Sequence, residues 1–318
     1  MNTTIYLKDY QVPDFLISQV NLEFSLAPEN TRVKSKLKIE RNGKHDRSLV
    51  LDGEKLTLLS VAIDGTLISA DAYQQTNESL RLHSVPDAFE LMIETEIAPQ
   101  QNTELSGLYR SSGNYCTQCE AEGFRRITYF LDRPDVLAEY RVRIIAPKSE
   151  CPVLLSNGNP IAEGEGPDGL HWVEWHDPHP KPSYLFALVA GDLEFIEDEF
   201  TTMSGRRVAL KIYTQSDYID KCAHAMASLK RSMVWDEQVY GREYDLDIYN
   251  IVAVDDFNMG AMENKGLNVF NTKYVLADVN TATDADYEAV ESVIAHEYFH
   301  NWSGNRVTCR DWFQLSLK

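Results

Sequence analysis

Long apolar runs are missing from this sequence. No stretch reaches the roughly eighteen apolar residues that a helix needs to cross a membrane. Residues 1–9 contain no basic patch followed by an apolar segment, so a secretory signal peptide is not predicted. Internal repeats and low-complexity tracts are absent as well. The sequence therefore predicts a globular protein without a membrane span.

Cysteine is scarce. The chain of 318 residues contains five, at scattered positions: Cys116, Cys119, Cys151, Cys222 and Cys309. An odd, scattered set fits reduced thiols better than a disulfide framework, which favours a cytoplasmic location. Cys116 and Cys119 have the C-x-x-C spacing of a redox or zinc pair, but the chain offers no second pair to complete a four-ligand site. We therefore expect ordinary packed thiols.

Basic residues are few relative to acidic ones. Lysine and arginine number 30 against 49 aspartate and glutamate residues, which gives a formal net charge of −19. Such a charge repels nucleic acid and anionic lipid, so we expect neither as a partner. The hydrophobic content of 43% is that of a globular protein. A length of 318 residues predicts about two domains.

The first part of the chain has the pattern of β-strands. Apolar and polar residues alternate between turn residues, and helical periodicity is nearly absent. Strands are predicted at 20–26, 33–39, 56–63, 89–97, 140–145, 153–155, 172–175 and 184–189. The proline-spaced segment 176–182, with two histidines, is typical of an exposed loop rather than a metal site. Residues 1–192 are therefore predicted to form an all-β domain of saddle or sandwich form.

The pattern changes near residue 192. A strand at 208–213 is followed by apolar residues three and four apart from Ile219 to Met233, which predict an amphipathic helix that ends at Gly241. Buried strands are predicted at 247–254 and 267–270. A mixed sheet packed against helices is expected, so residues 193–318 are predicted to belong to an α+β domain.

The five residues from His296 to His300 match the pattern H-E-x-x-H. Side chains four residues apart lie on one face of a helix, so both imidazoles can bind one metal ion. Glu297 stands beside the first histidine and can act as a general base on a water molecule that the metal activates. The sequence thus predicts His296 and His300 as zinc ligands and Glu297 as the catalytic residue.

The surrounding residues favour a helix for this motif. Thr283 is a predicted N-cap, with Asp284 and Asp286 in the first turn. Apolar residues recur at helical spacing from Tyr287 to Tyr298, and residues 303–305 (Ser-Gly-Asn) are a predicted stop. This context favours a metal site over a pair of incidental surface histidines.

A second motif, G-A-M-E-N at residues 260–264, places Glu263 33 residues before His296. On its own it is typical of a turn with a solvated glutamate. Together with H-E-x-x-H, it resembles the aminopeptidase N family of gluzincin zinc peptidases, which carries G-x-M-E-N upstream at about this separation. Residues 118–125 and 131–135 resemble the stretch that the family's N-terminal domain contributes to its active site. Residues 301–308 and 311–318 resemble its bacterial cytosolic branch.

The resemblance implies a β domain followed by the first part of a thermolysin-like catalytic domain, in an enzyme that releases N-terminal amino acids from peptides. Two carboxylates would hold the free α-ammonium group by charge-assisted hydrogen bonds, so that only the first peptide bond reaches the metal. The implied substrate-binding residues are Glu263 and Glu120 for the amine, Gln118 and Met259 for the first side-chain pocket, Gly260 and Ala261 for the peptide main chain, and the adjoining Met262 and Asn264.

The family's third zinc ligand, a glutamate, would fall at position 319, one residue beyond Lys318. Its oxyanion-stabilising tyrosine would also lie outside the chain. We therefore expect an N-terminal fragment that binds little zinc and hydrolyses peptides poorly, because catalytic zinc typically has three protein ligands. The alternatives are an epoxide hydrolase-like relative, since a motif pair does not fix the reaction, a thermolysin-like endopeptidase, and, for the isolated fragment, a peptide-binding module without catalysis.

Overall fold

The structure is a computed structural model that describes residues 4–318. Its first part consists of strands joined by short turns, in keeping with the alternating sequence pattern. The strands are β1 (Phe15–Ser25), β2 (Thr31–Arg41), β3 (Leu49–Asp52), β4 (Thr57–Ile63), β5 (Thr66–Leu67), β6 (Tyr73–Gln75), β7 (Ser79–Leu82), β8 (Ala88–Ile97), β9 (Gly107–Ser111), β10 (Asn114–Gln118), β11 (Ala138–Pro147), β12 (Val153–Ser156), β13 (Asn159–Glu165), β14 (Leu170–Lys181) and β15 (Leu188–Gly191).

The second part adds strands and α-helices. These are β16 (Glu194–Thr201), β17 (Arg207–Thr214), α1 (Ala223–Tyr240), β18 (Ile248–Val254), β19 (Ala261–Met262), β20 (Leu267–Asn271) and α2 (Asp284–Phe299). Short 3₁₀ helices occupy Leu7–Asp9, Ala70–Ala72, Pro99–Gln101, Phe124–Arg126, Pro167–Gly169, Ser183–Leu185, Ser216–Lys221, Thr272–Tyr274 and Trp312–Leu317. The predicted β domain followed by the start of an α+β domain is confirmed.

The largest sheet has the strand order β13-β14-β11-β1-β2-β8-β4-β5. β1 pairs antiparallel with β2 and parallel with β11. In β2 the side chains of Val33, Leu37 and Ile39 are buried, whereas Arg32 and Lys34 are exposed. β2, which is antiparallel to both of its neighbours, therefore packs one face on the core and turns the other to solvent, as period-two alternation predicts.

A smaller sheet, β12-β15-β10-β9, supplies the strand that leads to the candidate site. Every residue of β10 is buried, and the strand pairs with β9 on one side and β15 on the other. β10 ends at Gln118, so the next residues, including Glu120, emerge from a strand that neighbours fix on both sides. A further sheet has the order β3-β7-β6.

The sheet of the second part, β16-β17-β18-β20-β19, is covered on both faces. Val252 and Val254 of β18 pack into the core formed with the first part of the chain. Ile251 and Ala253 of the same strand pack under α1 and α2 in a second core. Burial on both faces explains why β18 is apolar at every position but Asn250 rather than alternating.

The ends of both α-helices follow local signals. Gly241 ends α1 in the left-handed conformation, with φ 62°, as the sequence predicted. Residues 216–221 form a 3₁₀ turn, so α1 begins later than the apolar spacing indicated. At α2, the Thr283 hydroxyl accepts from the backbone N–H of Asp286, whose carboxylate accepts from the N–H of Thr283, which confirms the predicted N-cap as a capping box. The helix ends at Phe299, before the predicted stop at 303–305.

Two predictions in the first part were wrong. Residues 176–181, predicted as an exposed loop, belong to β14, whose register against β11 shifts between Asp177 and Lys181. Pro178 and Pro180 fall in this irregularity, where the ladder does not need their missing N–H groups. The strand predicted at 184–189 is a 3₁₀ turn followed by β15, which starts at Leu188.

None of the helices within residues 4–318 is long and apolar enough to cross a membrane.

Candidate active site

The two histidines of the H-E-x-x-H motif meet at the end of α2. Their Nε2 atoms are 3.0 Å apart, and their rings are nearly perpendicular with centroids 4.6 Å apart. The Nδ1 atom of His300 lies 2.6 Å from the carbonyl oxygen of Ser303. Because a carbonyl can only accept, this nitrogen donates, and the lone pair of His300 is left on Nε2, facing His296.

This geometry fits one shared metal ion. Two imidazole nitrogens on a tetrahedral zinc ion, each about 2.0–2.1 Å from it, lie roughly 3.3 Å apart, so a small adjustment accommodates the ion. Burial and the neighbouring His300 lower the pKa of His296, which favours the neutral imidazole that binds metal. His296 lies on the exposed side of the pair and His300 on the buried side.

Glu297 is buried beside the pair, and its Oε2 atom has no hydrogen-bond partner in the described structure. Burial, and then the carboxylate of Glu263, raise the pKa of Glu297 to about 9. The ammonium group of Lys318 opposes this rise in pKa without cancelling it. A metal ion bound at the histidine pair would add a further positive charge and favour the ionised form, which a general base requires.

Glu263 joins these residues from the loop between β19 and β20. One carboxylate oxygen each of Glu263 and Glu297 and one imidazole nitrogen of His300 lie within 4.8 Å of one another. The two carboxylates and the imidazole are all buried. The structure thus brings together three residues that the two motifs predicted for one site.

Glu120 reaches the same place from the end of β10. The ammonium group of Lys318 lies 2.7 Å from the Oε1 atom of Glu120 and also donates to the Oε1 atom of Glu263. Burial alone would lower the pKa of Lys318, but Glu263 and Glu120 outweigh it and raise that pKa. Carboxylates from the two parts of the chain therefore lie within reach of a single ammonium group.

The other predicted substrate residues line the same region or support it. The side-chain Nε2 of Gln118 lies 3.2 Å from the sulfur of Met259, which is 43% exposed. Ala261 lies in β19, the last strand in the order of its sheet. A Cβ atom on Gly260 would lie 3.2 Å from the ring of Tyr274.

Met262 and Asn264 are both buried, with 0% and 1% of their surfaces exposed. Neither offers open surface, so their contact with substrate stays a prediction.

The predicted C-x-x-C pair consists of packed thiols. Cys116 and Cys119 are free and buried. Burial raises the pKa of the Cys116 thiol to about 12 and that of Cys119 well above its usual value. Neither thiol has the thiolate character of a redox or metal-binding cysteine.

Sequence reasoning missed the loop that follows α2. The side-chain amide of Asn305 donates to the carbonyl oxygen of Glu263 at 2.9 Å, and its backbone N–H donates to the carbonyl of His300 at 2.9 Å. Gly304, with φ +132°, lets this loop pass close to the His300 ring; a Cβ atom there would lie 3.0 Å from Nδ1. The Ser-Gly-Asn run after the motif was the available signal, but it indicated only a helix stop.

The site combines a glutamate from a β domain with a second glutamate and an H-E-x-x-H helix from an α+β domain. This combination defines a class of metallopeptidase. The chain belongs to peptidase family M1. Residues 10–185 match the Peptidase M1 N-terminal domain, and residues 224–318 match the Peptidase family M1 domain.

The chain is similar to curated proteins named Aminopeptidase N. It is 57% identical to that of Caulobacter vibrioides over 314 residues and 58% identical to that of Haemophilus influenzae over 316 residues. These matches cover 99% and 98% of the chain but 36% of each relative, so the chain spans about a third of their length. A crystal structure of Legionella pneumophila aminopeptidase A in complex with aspartic acid has a TM-score of 0.94 at 41% identity, over 98% of this chain and 37% of that one.

Proposed function

We propose that the chain forms part of a zinc aminopeptidase that releases N-terminal amino acids from peptides. The observation that carries the proposal is the ammonium group of Lys318, held between Glu120 and Glu263 beside the H-E-x-x-H helix. This side-chain ammonium stands in for the α-ammonium group of a peptide.

The position of the two carboxylates supports exopeptidase action. An ammonium group bound by two carboxylates makes charge-assisted hydrogen bonds, which a substrate without that charge cannot make. Because Glu263 also lies within 4.8 Å of Glu297 and His300, only the peptide bond next to the amine would reach the catalytic residues.

His296 and His300 would hold the metal through their Nε2 atoms, and the Ser303 carbonyl would keep the His300 ring in the required tautomer. Zinc, when bound, lowers the pKa of water towards neutrality. Glu297, ionised in that field, would accept a proton from the attacking water and return it to the leaving amine. Its Oε2 atom has no competing hydrogen-bond partner in the described structure.

The side chain of the first substrate residue would pack beside Gln118 and Met259, whose contact at 3.2 Å joins the two parts of the chain. The main chain of the peptide would run along Gly260 and Ala261 at the edge strand β19. We place the domain boundary near residue 192, between β15 and β16; the family matches at 10–185 and 224–318 support it.

The relatives' names favour this function over the alternatives. Proteins named Aminopeptidase N match nearly the whole chain. An endopeptidase does not need to bind the α-amine of its substrate, so it does not require Glu120 and Glu263. No observation favours epoxide hydrolysis. A peptide-binding module without catalysis is the alternative for residues 1–318 alone, because a two-histidine site holds zinc weakly.

Zinc content tests the metal site. We expect residues 1–318 to lose zinc to a competing chelator. The same polypeptide extended to the length of its relatives should retain one zinc ion and cleave peptides with a free amine. Chelation should abolish that turnover, and added zinc should restore it.

The matched control is His300→Ala in the extended form, which should lose the metal. Stoichiometric, chelator-resistant zinc on residues 1–318 would contradict the expectation that these residues bind zinc weakly. Turnover that is indifferent to chelation would refute zinc dependence.

A further inference from the structure

Lys265 is a buried lysine directly after the G-A-M-E-N motif. Its side chain is 1% exposed, and its ammonium group donates to Oδ1 of Asn301 at 2.8 Å and to a carboxylate oxygen of Asp245. A buried ammonium group is costly unless it is paired and hydrogen-bonded. The hydrogen bonds of Lys265 to Asp245 and Asn301 therefore fix the positions of all three side chains.

Asp245 is the centre of a network that joins both parts of the chain, here called the junction network: Asp245, Lys265, Asn301, Arg306 and His179. Asp245 accepts from Arg306 and, at 3.3 Å, from the side-chain amide of Asn301. His179 of β14 lies 3.6 Å from the same carboxylate. The carboxylate is thus shared by three elements that come from distant positions in the sequence.

The junction network connects the residues assigned to chemistry. Lys265 is two residues after Glu263, and Asn301 is the residue after His300. A second hydrogen bond connects the same two segments: the side-chain amide of Asn305 donates to the carbonyl of Glu263 at 2.9 Å.

The backbone of Lys265 is fixed as well, because its carbonyl accepts from Asn157 at 2.9 Å. The segment that carries the amine-binding glutamate is therefore bonded directly to the segment that carries a histidine of the pair.

We propose that Lys265 is a positioning residue, which sets the distance between Glu263 and His300 through its bond to Asn301. The inference rests on the proposed function, in which the amine is held at Glu263 while the first peptide bond lies at the histidine pair. The distance between Glu263 and His300 then determines whether that bond reaches the pair. Misplacement by about 1 Å costs on the order of 100-fold in rate, and loss of a residue that orients a metal ligand costs roughly 10–100-fold in metal affinity.

The test compares Lys265→Met with Lys181→Met in the polypeptide extended to the length of its relatives. Lys181 is an equally buried lysine, 2% exposed and 3.1 Å from Asp177. It interacts with Lys265 by charge alone and makes no hydrogen bond to residues 263–265 or 300–305 in the described structure. Both variants lose a buried ion pair and should unfold at lower temperature.

We expect Lys265→Met alone to lower kcat and zinc affinity, each by roughly 10–100-fold, with KM little changed because both amine-binding carboxylates remain. Asn301→Ala provides a second variant that keeps the Lys265–Asp245 pair and removes the hydrogen bonds of the Asn301 side chain to Lys265 and Asp245. It should shift kcat and zinc affinity in the same direction, and the double variant should be no worse than Lys265→Met.

If Lys265→Met and Asn301→Ala behave like Lys181→Met in both kcat and zinc affinity, the positioning role is wrong. If the unaltered polypeptide binds zinc at the histidine pair but does not cleave free-amine peptides, the proposed function fails instead. In that case, the effect of Lys265→Met on zinc affinity still tests whether Lys265 is a positioning residue.

Discussion

Replacement of Glu297 by glutamine is expected to lower kcat by about 100- to 10,000-fold, the range that a general base contributes. Glutamine fills the same volume but cannot take a proton from water. Both histidines stay in place, so the variant should still bind one zinc ion. The measurement is steady-state turnover of a free-amine peptide together with metal analysis, in the polypeptide extended to the length of its relatives.

Glu288 offers a matched control for this prediction. It lies on the exposed surface of the same helix, α2, two turns or more from the site. Glu288→Gln should leave kcat unchanged. Turnover of Glu297→Gln within a few-fold of the unaltered enzyme would remove Glu297 from the role of general base.

Acetylation of the substrate's amino terminus is expected to abolish cleavage. The acetylated peptide presents no ammonium group that could replace that of Lys318 between Glu120 and Glu263, so its first residue is not held there. Removal of one carboxylate should act in the same direction: Glu263→Ala should raise KM and lower kcat together, because misplacing the amine also misplaces the scissile carbonyl. Truncating one partner of a buried charge pair costs about 2–5 kcal/mol, or roughly 30- to 5,000-fold in kcat/KM.

Glu122→Ala is the control for the carboxylate, since Glu122 is exposed and pairs with Arg125 at 3.4 Å instead of facing the ammonium group. Its kcat/KM should be unaltered. An endopeptidase would cleave the acetylated and free peptides alike, and a binding module would cleave neither. Equal cleavage of both peptides would therefore contradict amine recognition.

Local patterns predicted the elements that carry the site. The capping box at Thr283 and Asp286 depends on residues three apart, and the αL stop at Gly241 depends on one glycine. Both signals lie within a single helical turn, so neither requires knowledge of the rest of the fold. The H-E-x-x-H spacing likewise places two imidazoles on one face of a helix, and they meet at 3.0 Å.

Contacts between residues that are distant in the sequence could not be predicted from the residues alone. The approach of Glu120 to Glu263 was expected only through the family resemblance, because nothing in the spacing of the two glutamates requires them to meet. The junction network was missed, since Asp245, Lys265 and Asn301 come from three separate segments. Segment 176–182 was misassigned because proline suggests a loop, whereas a register shift in β14 accommodates Pro178 and Pro180.

Anomalous diffraction at the zinc edge is the most direct test of the metal site. Crystals of the polypeptide extended to the length of its relatives, grown with a dipeptide product, should show one peak about 2.0–2.1 Å from Nε2 of both His296 and His300. The product's ammonium group should replace Lys318 between Glu120 and Glu263. A zinc peak away from either imidazole, or an ammonium group bound elsewhere, would contradict the proposed enzyme.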